Sequence, residues 1–275
     1  MGVGGPAAAM VWPPHPEAVV AVVGWFSGRA LGWRVLGGGT NILASDRGVD
    51  EVVINLSRLT EGTGISGNLA TFPAGLPTAQ ALNRTVREGL DGLVWATGLP
   101  GTLGGAVAGN AGCWGGEMST TVDTLEVVTA QGVWLTIPAA DLCWSYRQLD
   151  LARQAGAGSI VVSTTMRLEP ADPEALAARS EELQALKRLA QPVGARNAGC
   201  VFRNPEGDRS AGLLIDEAGC KGMRVGDAEV SSVHANFIIN RGGASGNQIR
   251  KLIERVKEEV RTRFGVRLEE EIRRW

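Results

Sequence analysis

The chain has 275 residues, 44% of them apolar and 20% charged, so it can bury a sizeable core and should form two or three soluble globular domains. Its 27 basic and 29 acidic residues give a net charge of −2, which argues against a nucleic-acid-binding surface. No apolar run approaches the ~20 residues of a membrane span, and the first ten residues lack the Lys or Arg of a secretory signal. We therefore expect a cytoplasmic protein with neither a membrane nor a nucleic-acid partner.

The first two thirds of the chain predict helices and strands in irregular alternation. Pro16 suits the first turn of a helix, and the apolar residues after it predict a helix over Glu17–Ala30. The patterns that follow predict two strands, one helix and three further strands, in that order: Trp33–Leu36, Glu51–Leu56, Thr78–Glu88, Thr124–Ala130, Val133–Ile137 and Ser159–Leu168. Because this order is no regular βαβ repeat, the predicted fold class is α+β.

The last third of the chain predicts two long helices. Asp172 followed by Pro173 is a strong helix-start signal, and we expect that helix to run to about Leu189. We place a domain boundary at this point. The second helix, near Ser245–Phe264, carries apolar residues on one face, namely Ile249, Leu252, Ile253, Val256 and Val260. We interpret that face as core and not as a partner site.

Two glycine-rich segments predict a binding site for a large anionic ligand. In chain order, the first glycine cluster is Leu36–Asn41, which follows a predicted strand. The second glycine segment is residues 97–116, TGLPGTLGGAVAGNAGCWGG, with eight glycines and no charged residue. Glycine lets the main chain approach a ligand, and successive N–H groups can then form an anion-binding nest. A flexible linker is the alternative, but interleaved Leu, Ala and Val disfavour it. We expect the two loops to hold the two ends of a nucleotide cofactor.

The sequence disfavours two common nucleotide sites and a metal site. It has no GxxxxGK[ST] motif, so a P-loop is absent, and no GxGxxG opens a βαβ unit, which disfavours a Rossmann site. The four cysteines, Cys113, Cys143, Cys200 and Cys220, form no CxxC pair and lack matching histidines. We expect reduced thiols and no bound metal.

Seven ordered segments resemble the UDP-N-acetylenolpyruvoylglucosamine reductase family. The match in order and spacing covers nearly the whole chain, and the length resembles the shorter, second type of this reductase. The segments are Leu36–Asp46, Ala96–Met118, Ser145–Arg147, Asn197–Pro205, Ala211–Gly222, His234–Asn240 and Leu268–Arg273.

The resemblance implies both a fold and a reaction. The fold would be an FAD-binding fold of the vanillyl-alcohol-oxidase/PCMH type in two subdomains, with an α+β substrate-binding C-terminal domain. We place these parts at residues 1–57, 58–170 and 171–275. The reaction would reduce the enolpyruvyl ether of UDP-N-acetylglucosamine to UDP-N-acetylmuramate for peptidoglycan synthesis, with bound FAD, NADPH as hydride donor and a monomeric enzyme. The implied FAD-binding residues are Gly37, Gly38, Gly39, Thr40, Asn41, Thr97, Gly98, Pro100, Gly101, Gly104, Gly105, Asn110, Ala111 and Gly112.

Three residues match the catalytic positions of the family. Arg147 would meet the charge that develops on the substrate carboxylate, because a planar guanidinium suits a carboxylate bidentately. Cys200 would donate the proton; the more familiar residue there is Ser, and a thiol is mostly protonated at neutral pH. Glu271 would stabilise the intermediate, although strand alternation puts Glu269 on the same face as a rival. Without the motifs, each of the three would be interpreted as an ordinary surface or packing residue.

The substrate contacts are less specific. The resemblance and the local chemistry point to Tyr146, Arg188, Asn204 and Lys221, and a solvent-exposed ion pair is the alternative for the two bases. We interpret His234 as a structural histidine. Two other functions stay open, a different flavin oxidoreductase on the same fold and a noncatalytic nucleotide-sugar-binding protein.

Overall fold

The computed structural model describes residues 1–275 and divides into two compact units. Unit 1 comprises Met1–Ala8, Gly39–Asp50 and Leu186–Trp275, and unit 2 comprises Ala9–Gly38 and Glu51–Ala185. The first glycine cluster is therefore shared, with Gly38 in unit 2 and Gly39 in unit 1. The three-part division at residues 57 and 170 stays a prediction.

The chain combines short strands with seven α-helices. The helices are α1 (Pro16–Ser27), α2 (Thr78–Arg87), α3 (Leu103–Ala108), α4 (Ala152–Ala155), α5 (Pro173–Ala190), α6 (Ala211–Glu217) and α7 (Gly246–Phe264). The strands are β1 (Ala7–Val11), β2 (Trp33–Leu36), β3 (Ile42–Leu43), β4 (Val49–Asn55), β5 (Gly64–Ser66), β6 (Leu69–Pro73), β7 (Leu90–Asp91), β8 (Gly112–Cys113), β9 (Gly116–Glu117), β10 (Val122–Val128), β11 (Trp134–Pro138), β12 (Cys143–Ser145), β13 (Gln148–Asp150), β14 (Ile160–Arg167), β15 (Glu169–Pro170), β16 (Arg224–Val225), β17 (Ala228–Val230), β18 (Ile238–Asn240) and β19 (Arg273–Arg274).

Every helix and strand that the sequence predicted is present, with its ends within three residues of the predicted ones. The first helix ends at Ser27 and not at Ala30, because Ala30 has a φ of +52°, which a right-handed helix cannot continue. Asp172 caps α5 as predicted, accepting hydrogen bonds from the N–H groups of Glu174 (3.2 Å) and Ala175 (3.4 Å). The sequence did not predict the short elements, such as α3, α6 and the two-residue strands.

Unit 2 is built around an antiparallel sheet. Its five strands lie in the order β11–β10–β14–β6–β5, and a three-stranded sheet in the order β1–β4–β2 accompanies it. The central strands and the helices α1, α2 and α3 contribute to one apolar core, whose largest fully buried side chains include Phe72, Leu93, Leu103, Leu125 and Met166. The second glycine segment, residues 97–116, is anchored in this core.

Unit 1 has α7 and a small antiparallel sheet, β16–β17–β18, around a second apolar core. All five residues of the predicted apolar face of α7 are buried in that core, so its interpretation as core is confirmed. A capping box between Ser245 and Gln248 starts the helix, and Gly265 ends it in the left-handed conformation. No helix of the chain combines the length and apolar character that a membrane crossing requires.

The C-terminal segment of unit 1 lies between two other segments of the same unit. On one side β19 pairs in parallel with β3, with Arg273 opposite Ile42. On the other side Glu270 forms an antiparallel bridge with Phe202. The last residues are thus held at both edges by backbone hydrogen bonds.

Candidate active site

Gly37 and Gly38 pack against the loop that precedes α3. A Cβ on Gly38 would lie 2.8 Å from the Cα of Gly101, and a Cβ on Gly37 would overlap the hydroxyl of Thr102. No larger residue fits at either position without moving the opposite main chain. The Thr102 hydroxyl is buried and has no hydrogen-bond partner within the protein. The first glycine cluster and the 97–116 segment therefore meet at a close approach of two backbones.

The 97–105 part of the second glycine segment is also shaped by its glycines. Gly98 and Gly101 have φ angles of +72° and +99°, which L side chains rarely adopt. A Cβ on Gly104 would lie 2.6 Å from the Cβ of Ala74, so α3 can approach the end of β6 only because this residue is glycine. The remaining predicted FAD-binding residues along this stretch are Thr97, Pro100 and Gly105. The sequence thus specifies a tight loop leading into a short buried helix.

The Asn110 side chain links the β12–β13 hairpin to the residues that follow the β8–β9 hairpin. Its buried side-chain amide donates a 3.0 Å hydrogen bond to the carbonyl oxygen of Ser145, and its Oδ1 accepts one from the N–H of Ser119 at 3.0 Å. Both polar ends of the side chain are therefore engaged within unit 2. Gly112 follows in β8.

Arg147 occupies a strained position at the tip of the β12–β13 hairpin. Ser145 pairs with Gln148, so Tyr146 and Arg147 form a two-residue turn, and Arg147 has a φ of +60°. A left-handed conformation costs a non-glycine residue roughly 1–2 kcal/mol, and such strain collects at functional sites. The guanidinium lies 5.1 Å from the Tyr146 ring, and its Nη1 is 3.0 Å from where a Cβ of Gly112 would be. Tyr146 is 48% exposed.

Thr40 and Asn41 belong to unit 1, together with Glu271. The Asn41 side-chain amide donates a 3.1 Å hydrogen bond to the Glu271 backbone carbonyl, and the Asn41 backbone carbonyl accepts one from the N–H of Arg273 at 2.9 Å. Gly39, with a φ of +66°, precedes this pair. The end of the first glycine cluster is thus bonded directly to the segment that carries Glu271.

Cys200 lies beside the C-terminal segment. It forms an antiparallel bridge with Phe237, and the next residue, Val201, accepts a 2.8 Å hydrogen bond from the N–H of Glu271. The Val201 N–H in turn donates to the Asn236 carbonyl at 2.9 Å. Cys200 is partly exposed. The structure therefore brings two of the three predicted catalytic residues, Cys200 and Glu271, to neighbouring backbone positions.

The three consecutive glutamates have different surroundings. Glu270 accepts hydrogen bonds from Lys257 of α7 and from Arg274, and only 14% of its side chain is exposed. Burial by itself would raise the pKa of Glu270, but the hydrogen bonds from Arg274 and Lys257 outweigh it and lower that pKa. Glu269 is exposed and Glu271 is half-buried. Of the three glutamates, Glu270 is therefore the one that contacts α7.

The predicted substrate residues of unit 1 are engaged in local contacts. Asn204 accepts a 3.1 Å hydrogen bond from the N–H of Ala211, the first residue of α6. Lys221 pairs with Asp216 at 2.6 Å on the surface, which is the alternative that the sequence left open. Arg188 lies exposed in the last turn of α5. No group of three or more His, Cys, Asp or Glu side chains is arranged to hold a metal ion.

His234 packs into unit 1 as a neutral ring. Its Nδ1 accepts a 3.2 Å hydrogen bond from the N–H of Asn236, and the ring lies edge-on to Phe237 at 4.9 Å. Burial lowers the pKa of His234, and the nearby charge of Lys221 lowers it further. These contacts support the prediction of a structural histidine.

Sequence reasoning missed the role of Asn236. Its side chain is 3% exposed and pairs with both backbone groups of Phe202, accepting from the N–H at 2.9 Å and donating to the carbonyl at 2.8 Å. This amide holds the backbone segment that carries Cys200. The available signal was a lone polar residue inside an apolar run, because buried amides are almost always hydrogen-bonded.

The residues of the glycine segments fit FAD. The glycines at positions 37 and 38 allow the first glycine cluster to lie against Gly101 and Thr102, and the buried Thr102 hydroxyl lacks a protein partner. Two closely packed glycine-rich backbones with such a hydroxyl suit the phosphates and polar edges of a dinucleotide. No part of this fit requires a P-loop lysine or a metal.

Comparison with known proteins agrees with this fit. The family described as "FAD binding domain" matches residues 7–137, and the family described as "UDP-N-acetylenolpyruvoylglucosamine reductase, C-terminal domain" matches residues 191–275. Two UDP-N-acetylenolpyruvoylglucosamine reductases illustrate the similarity. That of Desulfosudis oleivorans is 39% identical over 99% of this chain and 90% of its own length. That of Geobacter metallireducens is 41% identical over 98% of this chain and 88% of its own length.

A solved structure extends the similarity to the fold. The crystal structure of the UDP-N-acetylenolpyruvylglucosamine reductase from Thermus caldophilus matches 100% of this chain and 94% of its own, with a TM-score of 0.84 and 34% identity. The predicted α+β FAD-binding fold with a C-terminal domain is therefore confirmed. The chain is an FAD-dependent oxidoreductase and belongs to the UDP-N-acetylenolpyruvoylglucosamine reductase family.

Proposed function

We propose that the enzyme reduces the enolpyruvyl ether of UDP-N-acetylglucosamine to UDP-N-acetylmuramate with NADPH. The observation that carries the proposal is the 2.8 Å hydrogen bond from the Glu271 N–H to the Val201 carbonyl. Because of this bond, a proton donor at Cys200 and a carboxyl group at Glu271 lie on adjacent backbone segments of one unit. The names and full-length similarity of the relatives support the same substrate.

The reaction places two demands on the protein. FAD, when bound and reduced by NADPH, would supply a hydride to the terminal carbon of the substrate's C=C bond. The electron pair of that bond moves toward the carbon that bears the ether oxygen, and negative charge grows on the adjacent carboxylate. The protein must stabilise this charge and then deliver one proton to the ether-bearing carbon.

In this proposal Arg147 stabilises the negative charge that develops on the substrate carboxylate. A guanidinium stays charged at all physiological pH values and can bind a carboxylate through two parallel hydrogen bonds. Arg147 stands on a turn at φ +60°, and Gly112 leaves room for its guanidinium because a Cβ there would lie 3.0 Å from Nη1. A preorganised cation of this kind stabilises developing charge without reorganising during the reaction.

In this proposal Cys200 delivers the proton, and Glu271 joins Arg147 in stabilising the developing charge. The Cys200 thiol gives its proton to the ether-bearing carbon and is reprotonated from solvent, so that one hydride and one proton complete a two-electron reduction. Glu271, beside the substrate carboxylate, is favoured in its protonated form and donates a hydrogen bond to the developing charge. Its backbone is held by Val201 on one side and Asn41 on the other.

The nucleotide part of the substrate needs polar contacts in addition. We propose that Asn204 contacts the nucleotide sugar, that Lys221 or Arg188 meets the diphosphate and that Tyr146 packs against the substrate. Lys221 would exchange its surface pair with Asp216 for the substrate. Such an exchange costs little because an exposed ion pair contributes only about 0–1 kcal/mol.

The direct test measures NADPH oxidation by purified, FAD-loaded protein with and without UDP-N-acetylglucosamine enolpyruvate. We expect oxidation to depend strongly on the sugar nucleotide and to yield UDP-N-acetylmuramate. NADPH oxidation at the same rate without the sugar nucleotide would instead point to another flavin oxidoreductase on this fold.

A further inference from the structure

Glu270 lies at the centre of a cluster of charged side chains next to the proposed catalytic carboxylate. Arg274 donates to it through Nε at 2.6 Å and Nη2 at 2.5 Å, and Lys257 donates through Nζ. Arg274 also bonds Glu254 of α7 at 2.6 Å, and Lys257 lies 3.8 Å from the same carboxylate. The Glu270 side chain is 14% exposed and that of Lys257 27%, whereas Arg274 (38%) and Glu254 (54%) reach the surface, so the pair at the centre of the cluster is the part shielded from water.

This shielding separates the cluster from the other ion pairs of α7. The pair between Arg261 and Glu258, only one turn away on the same helix, has a similar distance of 2.7 Å, but more than half of each side chain is exposed. Exposed pairs contribute little to structure, whereas partly buried pairs with several hydrogen bonds fix geometry.

The need for a fixed geometry follows from the sequence. Residues 269–271 are three consecutive glutamates, and a shift of one residue along an extended segment reverses the face of every side chain. The backbone hydrogen bonds from this segment to Val201 and Arg203 would form with any side chain, so they do not choose between the glutamates. Leu268 and Ile272, which are buried in the core of unit 1, help to set the register, and Lys257 and Arg274 add to it because they surround one carboxylate only.

We propose that Lys257 and Glu270 are positioning residues of the reductase reaction, which hold the C-terminal segment in the register that presents Glu271, and not Glu270, to the substrate. This inference rests on the proposed function of Glu271. With Glu270 fixed on the α7 side, the alternation of an extended segment turns Glu271 to the opposite side. Asn41 secures the same register from the other edge through the Glu271 carbonyl.

The test uses Lys257→Met, which keeps most of the side-chain length and removes the charge. Stopped-flow absorbance of the FAD-loaded enzyme separates two steps, bleaching of the flavin by NADPH and its reoxidation by UDP-N-acetylglucosamine enolpyruvate. Since Glu271 acts only in the second step, we expect reoxidation to slow by roughly tenfold to a hundredfold while bleaching stays within about twofold of wild type. Lys257→Arg should restore reoxidation, because it keeps a cation within reach of Glu270.

Arg261→Met is the matched control, since it breaks an exposed ion pair of the same helix that does not involve the C-terminal segment. Both steps should be unchanged in this variant. Glu270→Gln offers a second variant of nearly the same shape and should reproduce the selective loss. Equal slowing of both steps in Lys257→Met, or normal reoxidation, would overturn the positioning role. A wild-type flavin that the sugar nucleotide does not reoxidise would overturn the proposed function, and the inference with it.

Discussion

The side-chain amide of Asn110 donates a 3.0 Å hydrogen bond to the backbone carbonyl of Ser145, two residues before Arg147. This contact links the glycine-rich segment to the hairpin that presents the guanidinium. Asn110 has a φ of +39°, a conformation that asparagine tolerates better than most residues. A change at this position should therefore act on both stability and catalysis.

Asn110→Gly tests the link without backbone strain, because glycine adopts positive φ freely. It leaves the Ser145 carbonyl and the Ser119 N–H without their partner, so we expect a loss of about 1–3 kcal/mol in the free energy of unfolding. Urea unfolding measures this loss, and Asn83→Ala on the exposed side of α2 is the control, with an expected change within about 0.5 kcal/mol. Unchanged stability of Asn110→Gly would show that the amide does not hold the hairpin.

Arg147→Gly should separate stability from activity. Glycine relieves the strain of the turn at φ +60°, so the melting temperature should not fall. Turnover should decrease roughly 10²–10³-fold, because the developing negative charge loses its fixed cation. Steady-state kinetics and thermal unfolding of the same preparation check both points, with Arg153→Ala, an exposed arginine of α4, as control. Normal kcat in Arg147→Gly would remove Arg147 from the mechanism.

Cys200→Ser and Cys200→Ala should differ sharply. Serine retains an O–H that can donate a proton, so appreciable turnover should remain, whereas alanine should reduce turnover roughly 10²–10⁴-fold. Single-turnover reoxidation of the flavin by substrate is the measurement. The control is Cys220→Ala, whose thiol is fully buried in the core of unit 1 and whose loss should lower stability but not turnover. Near-normal turnover of Cys200→Ala would refute the assignment.

His234 should make the protein less stable as the pH falls. Burial and then Lys221 lower the pKa of His234 in the folded state, so the folded protein keeps the ring neutral where the unfolded chain takes up a proton. Stability is therefore complete above a pH of about 6.5 and decreases as the pH falls below that value. Urea midpoints at about pH 7.5 and about pH 5.5 measure the decrease.

His234→Gln should remove part of this pH dependence. His15→Asn provides the control, because His15 is exposed and caps α1, and asparagine is also a good cap. If His234→Gln and wild type lose stability equally between the two pH values, the buried ring is not the cause.

The sequence by itself determined the long elements. The apolar stripe of α7 predicted its length and its buried face, because a period of 3.6 residues can be recognised without knowing the neighbours. Strand β2 was predicted with its observed ends, and the Asp172–Pro173 signal located the start of α5. These patterns are local, so a single sequence contains them in full.

The ordered motifs also determined the family and its cofactor. A glycine with positive φ or with no room for a Cβ, such as Gly101 or Gly38, leaves a visible trace in the sequence. The sequence does not show, however, which residue such a glycine packs against. Only the tertiary structure pairs Gly38 with Gly101 and the amide of Asn110 with the carbonyl of Ser145.

The three glutamates at positions 269–271 show the same limit most clearly. Alternation separated Glu270 from its two neighbours but could not say which face meets α7, since the sequence does not state what packs on either side. Lys257 and Arg274 decide it, and Lys257 lies on another element of the chain. Contacts between residues distant in the chain depend on how the elements pack, and that packing is what the tertiary structure alone decided.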